Sequence, residues 1–463
     1  MRYRYIPSLL CLLLCLLCLL TGCNGGDTPP ASDTPEESAP PSVTAPADGE
    51  ITQPATEDVP EEETDAIHLP FPVPTDELPV ISVNTDGVAV DSRSYVDMTL
   101  SLAGVKDGLQ DVGGEIRLRG NSTMRMEKKP YRIRLYQKHS LMGLEKAKSW
   151  VLLADYLDPS TLHNYAALSL AATSENFDFV PTPYKVNLYL NGEYQGVYTL
   201  CEQVQEQEGR LGLTQEITRG MNTLSDYNFL ICMNYNAPEK PGAREGVTYF
   251  YISSVERYFE LEYPTREDFP TEAQFNAFFT ELEDYMRKTC QAFLQADRGY
   301  LGKNVNMDSL IDLFIVDRIM GERDHHWKSV FMYYKGGEGD PTLSFGPPWD
   351  YDFCMYTQWT GEPNEEFDLT NDFNPAEAAF FYRPLMNNPY YTRKVSARYR
   401  SHFSEILPEI IARVEAQADA MPESLQMNQD RWYAEKPDLT RDNLHFFTRY
   451  LKNRKTKLDR EWG

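Results

Sequence analysis

This chain of 463 residues lacks the sequence motifs of three common enzyme classes. It has no HExxH zinc-protease motif, no GxSxG nucleophile elbow and no Walker phosphate loop, which weakens the case for a metal-dependent hydrolase. Four of its eight cysteines (Cys201, Cys232, Cys290 and Cys354) lie beyond residue 23, are widely spaced and form no CxxC pair. A structural zinc site is therefore not expected, and these cysteines are predicted to be buried thiols or, outside the cytoplasm, disulfides.

Positive charge is also scarce. The chain has 44 Lys and Arg against 70 Asp and Glu, a net charge of −26. Residues 24–66 contain 12 acidic residues and no Lys or Arg. Without that segment and the two N-terminal arginines, residues 67–463 still carry about −16. A nucleic-acid partner is not expected, because a phosphate backbone is bound by clustered positive charge.

Long apolar runs are confined to the N-terminus. Arg2 and Arg4 precede an apolar run that ends in Leu20-Thr21-Gly22-Cys23. This pattern predicts a lipoprotein signal peptide over residues 1–22, with Cys23 as the lipidated first residue of the mature protein. A transmembrane helix is the alternative, but about a dozen apolar residues are short for a bilayer that needs about 20.

The segment that follows is predicted to be a disordered tether. Residues 23–66 are rich in Pro, Thr and Glu, and such a composition cannot bury a core. The folded domain is then residues 67–463. The predicted location is the extracytoplasmic face of a bacterial cell membrane, with attachment through the lipid on Cys23.

Two alternating segments place basic side chains on one face of a predicted sheet. In residues 115–119, Arg117 and Arg119 alternate with apolar residues, and in residues 131–135 Arg132 and Arg134 do the same. A small-residue loop, Gly120-Asn121-Ser122-Thr123, separates the two segments. One interpretation is a solvated strand face. The other is an anion site made of guanidinium groups and loop N–H groups that face phosphate.

The remaining periodicity predicts an α+β fold. Residues 184–201 read as a hairpin around Asn191-Gly192, and residues 271–301, 307–321 and 377–463 have helical spacing. Asp158 is predicted to cap a helix over residues 161–173. Strands thus dominate the N-terminal half and helices the C-terminal half, which predicts one bilobal α+β domain.

Three carboxylates lie at the ends of short elements in the second half. Asp324 follows a predicted helix, and Asp350 and Asp352 belong to the segment Trp349-Asp350-Tyr351-Asp352. Carboxylates gathered at element ends suit a divalent cation or a general base better than a core. His325 and His326 are a weaker metal candidate, since adjacent strand residues point to opposite faces and no third ligand is evident.

On these residues the chain resembles the spore coat protein H (CotH) kinase-like family. The similarity runs over about residues 79–460 in matching order and spacing. The segments that carry it are RGNSTMRMEKKPYRIRL (119–135), WVLLADYLDPSTLHNYAALSLA (150–171), NLYLNGEYQGVYTLCEQV (187–204), FGPPWDYDF (345–353) and FFYRPLMNNPYYTRKVSARY (380–399).

The resemblance implies a divergent protein-kinase-like bilobal fold and an atypical protein kinase. Such an enzyme transfers the γ-phosphate of ATP, with Mg²⁺, to Ser or Thr of an acceptor protein, here an unidentified envelope or extracellular protein. It implies that Asp324 is the catalytic base and that Asp350 or Asp352, with Ser329, holds the metal. Arg119, Gly120, Asn121 and Ser122 would cover the phosphates; Lys128, Lys129 or Arg132 would bind them, with Glu202 as a partner.

Ser329 departs from the kinase pattern. It stands five residues after Asp324, where a protein kinase carries a metal-binding Asn, and a hydroxyl is a weaker ligand for Mg²⁺. Lys328 either contributes charge to a phosphate or neutralises Asp324. The alternative function is therefore an inactive kinase-like surface module that binds an envelope protein or a polysaccharide.

Overall fold

Seven strands in the first half of the chain close into a barrel. A computed structural model describes residues 77–234, 248–337, 339–354 and 379–463. The strands pair in the order β1-β2-β3-β4-β5-β7-β6, and β6 returns to lie parallel to β1. They are β1 (Val80–Asn84), β2 (Val96–Ala103), β3 (Leu109–Leu118), β4 (Tyr131–His139), β5 (Ala147–Leu153), β6 (Tyr184–Leu190) and β7 (Glu193–Glu202).

The alternation of apolar residues decides which side of each strand lies inside the barrel. Ile116 and Leu118 of β3, and Ile133 and Leu135 of β4, are buried in the barrel interior. The intervening arginines therefore lie on the outer face, as the sequence predicts. A two-residue turn at Asn191-Gly192 joins β6 and β7, with both residues in the left-handed region that such a turn requires.

A second sheet and the helices form the rest of the described chain. The sheet has the order β12-β11-β8-β10-β9. Its strands are β8 (Phe229–Asn234), β9 (Thr248–Ile252), β10 (Arg257–Tyr263), β11 (Val330–Tyr334) and β12 (Leu343–Phe345). The helices are α1 (His163–Ala171), α2 (Glu272–Gln295), α3 (Arg298–Asn304), α4 (Met307–Met320), α5 (Arg383–Asn387), α6 (Pro389–Arg398), α7 (Ser404–Asp419), α8 (Pro422–Trp432) and α9 (Leu439–Trp462).

Short helical turns complete the secondary structure. A single π-helical turn joins α6 to α7, and four 3₁₀ turns lie in connections. These segments are Thr123–Arg125, Leu224–Asp226, Arg266–Asp268, Phe380–Tyr382 and the π turn Tyr399–Phe403.

The outer side of the barrel packs against one face of the second sheet. Val151 and Cys201 of the barrel share a buried cluster with Cys232 and Phe331 of the sheet and with Trp349. The largest core lies on the other face of that sheet, where the helices cover it. This arrangement brings the outward-facing arginines of β3 and β4 to the segments that carry the carboxylates.

The α+β prediction, with strands first and helices second, is confirmed. The seven-stranded barrel was not foreseen, and the kinase-like bilobal arrangement stays a prediction. Helix α1 was predicted to start at Thr161 but begins at His163, whose backbone N–H donates to the Asp158 carboxylate at 2.7 Å. The predicted helix 271–301 is two helices, because Ala296 takes a left-handed conformation and Asp297 caps a new start.

The predicted signal peptide, the tether and Cys23 lie outside the described residues, so these assignments and the boundary at residue 67 stay predictions. Cys201, Cys232, Cys290 and Cys354 are buried free thiols, as the first of the two expectations had it. Within the described residues, no helix has the length and apolar character needed to cross a membrane.

Candidate functional site

A polar cleft lies where the barrel meets the second sheet. We call it the central cleft. Its walls combine the outer face of β3 and β4, the loop after β3, the face of β8 and β10, and the two segments that carry the carboxylates. The polar and charged residues that line it are Arg93, Arg117, Arg119, Asn121, Ser122, Thr123, Arg132, Gln203, Asn234, Glu260, Glu262, Asp324, Lys328, Ser329, Asp350 and Asp352.

One wall of the cleft concentrates positive charge. Arg117 and Arg132 are directly opposite each other in the register of β3 and β4, and Arg119 follows β3. Like charges opposite each other on neighbouring strands destabilise a sheet. Desolvation lowers the pKa of Arg119 from its ordinary value, and Arg132 adds to that effect. A bound anion would relieve this repulsion, so the wall is suited to phosphate.

The loop after β3 is held close to this wall. Gly120 has a φ of +86°, and a Cβ there would lie 2.2 Å from the hydroxyl oxygen of Thr123. Glycine therefore meets both the conformational and the spatial requirement at this position. The Arg93 guanidinium donates to the Gly120 carbonyl at 2.7 Å and to Asn121 Oδ1 at 3.1 Å. Arg93 lies in the connection between β1 and β2, so these bonds attach the loop to that connection.

The opposite wall carries the three predicted carboxylates. Lys328 Nζ lies 2.6 Å from Asp324 Oδ2 and 3.9 Å from Asp350 Oδ2, and the Ser329 hydroxyl donates to Asp350 Oδ2 at 2.7 Å. Asp324 also lies 3.3 Å from the Trp327 indole nitrogen, which donates to its Oδ1. Lys328 thus lies between Asp324 and Asp350, and all three carboxylates line one cleft.

The carboxylates of this wall differ in their electrostatics. Desolvation opposes the ionisation of Asp350, but Lys328, the Ser329 hydroxyl and Arg119 outweigh it and lower its pKa. Asp352 has the reverse balance: burial first, and then the charges of Asp350 and other carboxylates, raise its pKa well above the ordinary value. Desolvation would lower the pKa of Lys328, yet Asp350 and Asp324 raise it overall.

The donor set fits a hard divalent cation. All the ligand atoms offered here are oxygens, from Asp324, Asp350, Asp352 and the Ser329 hydroxyl. Mg²⁺ prefers such donors and is often held by one or two carboxylates together with substrate phosphates. A cation between Asp350 and Asp352 would also offset the repulsion that disfavours ionisation of Asp352.

A second group of buried residues with metal-ligand chemistry lies directly behind this wall. Asp317, Glu322 and His325 bring their ligand atoms within 4.8 Å of one another. Both ring nitrogens of His325 face acceptors, Asp317 at 3.0 Å and the Trp349 carbonyl at 2.7 Å. Burial opposes the charged imidazole, but Asp317 and Glu322 raise its pKa to about 10. The Trp349 carbonyl can only accept, so Nε2 carries a proton, and the group connects the Asp324 and Asp350 segments by hydrogen bonds.

Three predicted site residues lie away from the cleft. Lys128 is fully buried, where its Nζ donates to the Val197 carbonyl at 2.5 Å and to Asn428 Oδ1 at 3.0 Å. Lys129 Nζ donates to the Met124 carbonyl at 2.9 Å. The prediction that Lys128 shares the outward face of Arg132 is wrong, because the alternation of β4 begins only at Tyr131.

Glu202 was expected to pair with a lysine or arginine of the basic strands. Instead, it accepts a hydrogen bond from the Thr182 backbone N–H at 2.7 Å, and its Oε1 lies 3.8 Å from Arg210 Nη1. Its neighbour Gln203 is the residue that reaches the cleft. The pairing of Glu202 with Lys128 or Lys129 is therefore corrected to Arg210.

The position of Lys128 gives a testable expectation for Lys128→Met. Burial lowers the pKa of Lys128 from 10.5 to about 7, so the unfolded chain binds more protons between these values and stability rises with pH there. Methionine removes this contribution. The free energy of unfolding of the wild type, relative to the variant, should rise by on the order of 4 kcal/mol from pH 7 to 10.5 in urea titrations.

The same variant tests the role of Lys128 at the site. Because Lys128 does not line the cleft, nucleotide affinity should stay within about threefold of wild type, which is less than the loss of one hydrogen bond to a charged group. A loss of nucleotide affinity of about tenfold or more would show that Lys128 does bind the phosphates.

Sequence reasoning missed several residues of the site. Arg93 lies in an irregular segment with no pattern around it, and Glu260 and Glu262 alternate within an otherwise apolar strand. Outside the lining of the cleft, the buried Lys185, 3.0 Å from Asp155, was also missed. A charged residue within an apolar strand run was the one available signal for Glu260, Glu262 and Lys185, because such a charge needs a partner.

Comparison with known proteins agrees with the resemblance noted in the sequence. A family model described as CotH kinase protein matches residues 116–458, about three quarters of the chain. No curated protein matches the chain. The matched residues run from the outward-facing arginines of β3 into the last turns of α9 and include every carboxylate of the central cleft. The chain therefore belongs to the CotH kinase protein family.

Proposed function

We propose that this protein is a cell-surface atypical protein kinase that transfers the γ-phosphoryl group of ATP to Ser or Thr of an envelope or extracellular protein. The observation that carries the proposal is the pairing of two walls across one cleft. Arg117, Arg119 and Arg132 line one wall, and Asp324, Asp350 and Asp352 line the other. Phosphoryl transfer needs cations around the phosphates, carboxylates for a metal and a carboxylate near the acceptor hydroxyl.

The chemistry assigns a role to each wall. Bound Mg²⁺ would neutralise phosphate charge, held by Asp350 and Asp352 with Ser329 nearby. Arg119, Arg132 and the loop Gly120-Asn121-Ser122 bind the phosphates, and Arg117 joins them. Asp324 accepts the proton of the acceptor hydroxyl while the oxygen of that hydroxyl forms a bond to the γ-phosphorus. The bond from that phosphorus to the β–γ bridging oxygen breaks, and ADP leaves.

The kinase-like bilobal fold belongs to the same proposal. The barrel with its phosphate-binding wall corresponds to one lobe, and the second sheet with its helices corresponds to the other. Attachment to the extracytoplasmic face of the membrane through Cys23, with residues 23–66 as tether, is proposed from the sequence pattern. A partner nucleic acid is not proposed, given the net charge of −26.

The direct test is label transfer from γ-³²P-ATP by the purified chain, with Mg²⁺ and with EDTA. Self-phosphorylation, or labelling of an added protein from the same envelope, should depend on Mg²⁺ and should appear as phosphoserine or phosphothreonine. ADP should form in equal amount to the phosphoester. ATP hydrolysis without a labelled protein would contradict transfer to an acceptor.

A second candidate function is a non-catalytic kinase-like module that binds an envelope protein or a polysaccharide. The observation that favours it is the contact of Lys328 with Asp324 and of Ser329 with Asp350, which occupies oxygens that a metal and a substrate proton need. Thermal unfolding separates the two. A ligand at 100 times its Kd stabilises by about 2.7 kcal/mol. A shift with glycan and none with nucleotide plus Mg²⁺ would favour the module.

A further inference from the structure

The segment Trp349–Asp352 has an unusual backbone that several buried side chains hold. Asp350 has a φ of +71°, a left-handed conformation that residues other than glycine seldom adopt. The Tyr351 ring points into the core, where its hydroxyl donates to Asp317 Oδ1 at 2.8 Å. The carboxylates on either side of it line the central cleft. The orientation of the Tyr351 peptide therefore decides where both carboxylates point.

Asn164, the second residue of α1, contacts that peptide directly. Its Oδ1 accepts the Tyr351 backbone N–H at 2.8 Å, and its Nδ2 donates to Asp155 Oδ1 at 2.8 Å. The Asn164 amide supplies both the acceptor and the donor that this arrangement uses. Asn164 is 2% exposed, so water does not replace either bond.

The Asp155 carboxylate is held in turn by the barrel. Its Oδ2 accepts from Thr199 Oγ1 at 2.6 Å and from Lys185 Nζ at 3.0 Å. These residues belong to β7 and β6. A continuous set of buried hydrogen bonds therefore runs from the barrel wall through Asp155 and Asn164 to the peptide between the two carboxylates.

We propose that Asn164 is a positioning residue for the metal-binding carboxylates, and that it fixes Asp350 and Asp352 relative to the barrel. The inference rests on the proposed function, because it takes those carboxylates as the metal ligands. Asn164 does not itself line the central cleft, so it acts on the two carboxylates through the Tyr351 peptide. Loss of a residue that holds a metal ligand in place commonly lowers metal affinity by about 10- to 100-fold.

The test uses Asn164→Leu, which keeps the size of the side chain and removes both hydrogen bonds. Two quantities are measured on the full chain: hydrogen exchange of the Tyr351 amide, and the affinity for Mn²⁺ alone by electron paramagnetic resonance. We expect the Tyr351 amide to exchange at least about tenfold faster and Mn²⁺ to bind at least about tenfold more weakly.

Asn443→Leu is the matched control. Asn443 is also fully buried, and its Nδ2 donates to the Leu439 carbonyl within α9, away from the cleft. This variant should change neither quantity. If Asn164→Leu does not fold, Thr199→Val removes the bond to Asp155 and the one that Thr199 Oγ1 accepts from Lys185 Nζ at 2.9 Å. It leaves both bonds of Asn164 in place and should change both quantities in the same direction, by a smaller factor.

The outcomes separate the inference from the proposed function. Faster Tyr351 exchange with unchanged Mn²⁺ affinity overturns the positioning role, and so does unchanged exchange. If the wild type binds no Mn²⁺, the metal assignment in the proposed function fails, and the role of Asn164 as a metal-site positioning residue fails with it, whatever the Tyr351 exchange shows.

Discussion

Asp324→Asn should lower the rate of phosphoryl transfer by about 10²- to 10⁴-fold, the range that a positioned general base contributes. Asparagine keeps the shape of the side chain and can still accept from the Trp327 indole, which donates to Asp324 Oδ1 at 3.3 Å. It cannot take a proton from the acceptor hydroxyl. Single-turnover measurement with γ-³²P-ATP isolates this step from product release.

The nearby lysine makes the result informative. Lys328 Nζ is 2.6 Å from Asp324, so in the wild type the carboxylate that would act as base is paired with an ammonium group. If Lys328 instead keeps the site inactive by neutralising Asp324, the wild type would transfer no label and the variant would equal it. Nucleotide affinity should change by no more than about threefold, since the role proposed for Asp324 is on the acceptor side.

Asp178→Asn is the matched control for this variant. Asp178 pairs with Lys335 at 2.5 Å on the surface, outside the lining of the cleft, so the same chemical change is made in a lysine-paired aspartate. It should leave the transfer rate within about twofold of wild type, because exposed ion pairs contribute at most about 1 kcal/mol. Equal losses in both variants would show a general effect of charge and would remove the base assignment.

The basic wall shows how far sequence alternation reaches. Ile116 and Leu118 identify the buried side of β3, and Arg117 and Arg119 follow from that because side chains alternate along a strand. Arg132 follows in the same way from Ile133 of β4. These inferences succeed because they depend on local geometry. The prediction for Lys128 is wrong because Lys128 precedes the first residue of β4, and side chains alternate regularly only within a strand.

Other features depend on contacts between residues far apart in the chain. The buried Lys128 donates to Asn428, 300 residues later, and the contact of Asn164 with Tyr351 spans 187 residues. Closure of the barrel rests on the parallel pairing of β1 with β6, which no periodicity indicates. Local patterns predict which face of an element is polar, and they do not predict which distant element meets it.

The acidic wall lies between these two cases. The sequence predicts that Asp324, Asp350 and Asp352 meet, because short elements place all three at element ends. It does not predict that Ser329 and Asp350 both adopt left-handed backbone, with φ of +61° and +71°. Asparagine adopts this conformation more readily than serine. The backbone at 329 is thus compatible with the Asn that protein kinases carry there, although this chain has the hydroxyl.

At about 1 mM Mg²⁺, Asp350→Asn should reduce the rate of phosphoryl transfer by about a hundredfold or more, since a catalytic metal contributes several kcal/mol. The amide still accepts from the Ser329 hydroxyl, but it brings no negative charge to the cation. Raising Mg²⁺ should restore part of the rate, because the defect is in metal affinity. No such recovery is expected for Asp324→Asn, which lacks the proton acceptor.

Two further substitutions at position 350 separate the loss of the carboxylate from the strain of the backbone. Alanine at a φ of +71° is disfavoured by about 1–2 kcal/mol, whereas glycine adopts this conformation freely. Asp350→Gly should therefore be more stable than Asp350→Ala, by thermal unfolding, while both lose Mg²⁺-dependent transfer to the same extent. If the rate followed stability across the three variants, backbone geometry and not the carboxylate would be what residue 350 supplies, and its assignment as a metal ligand would fall.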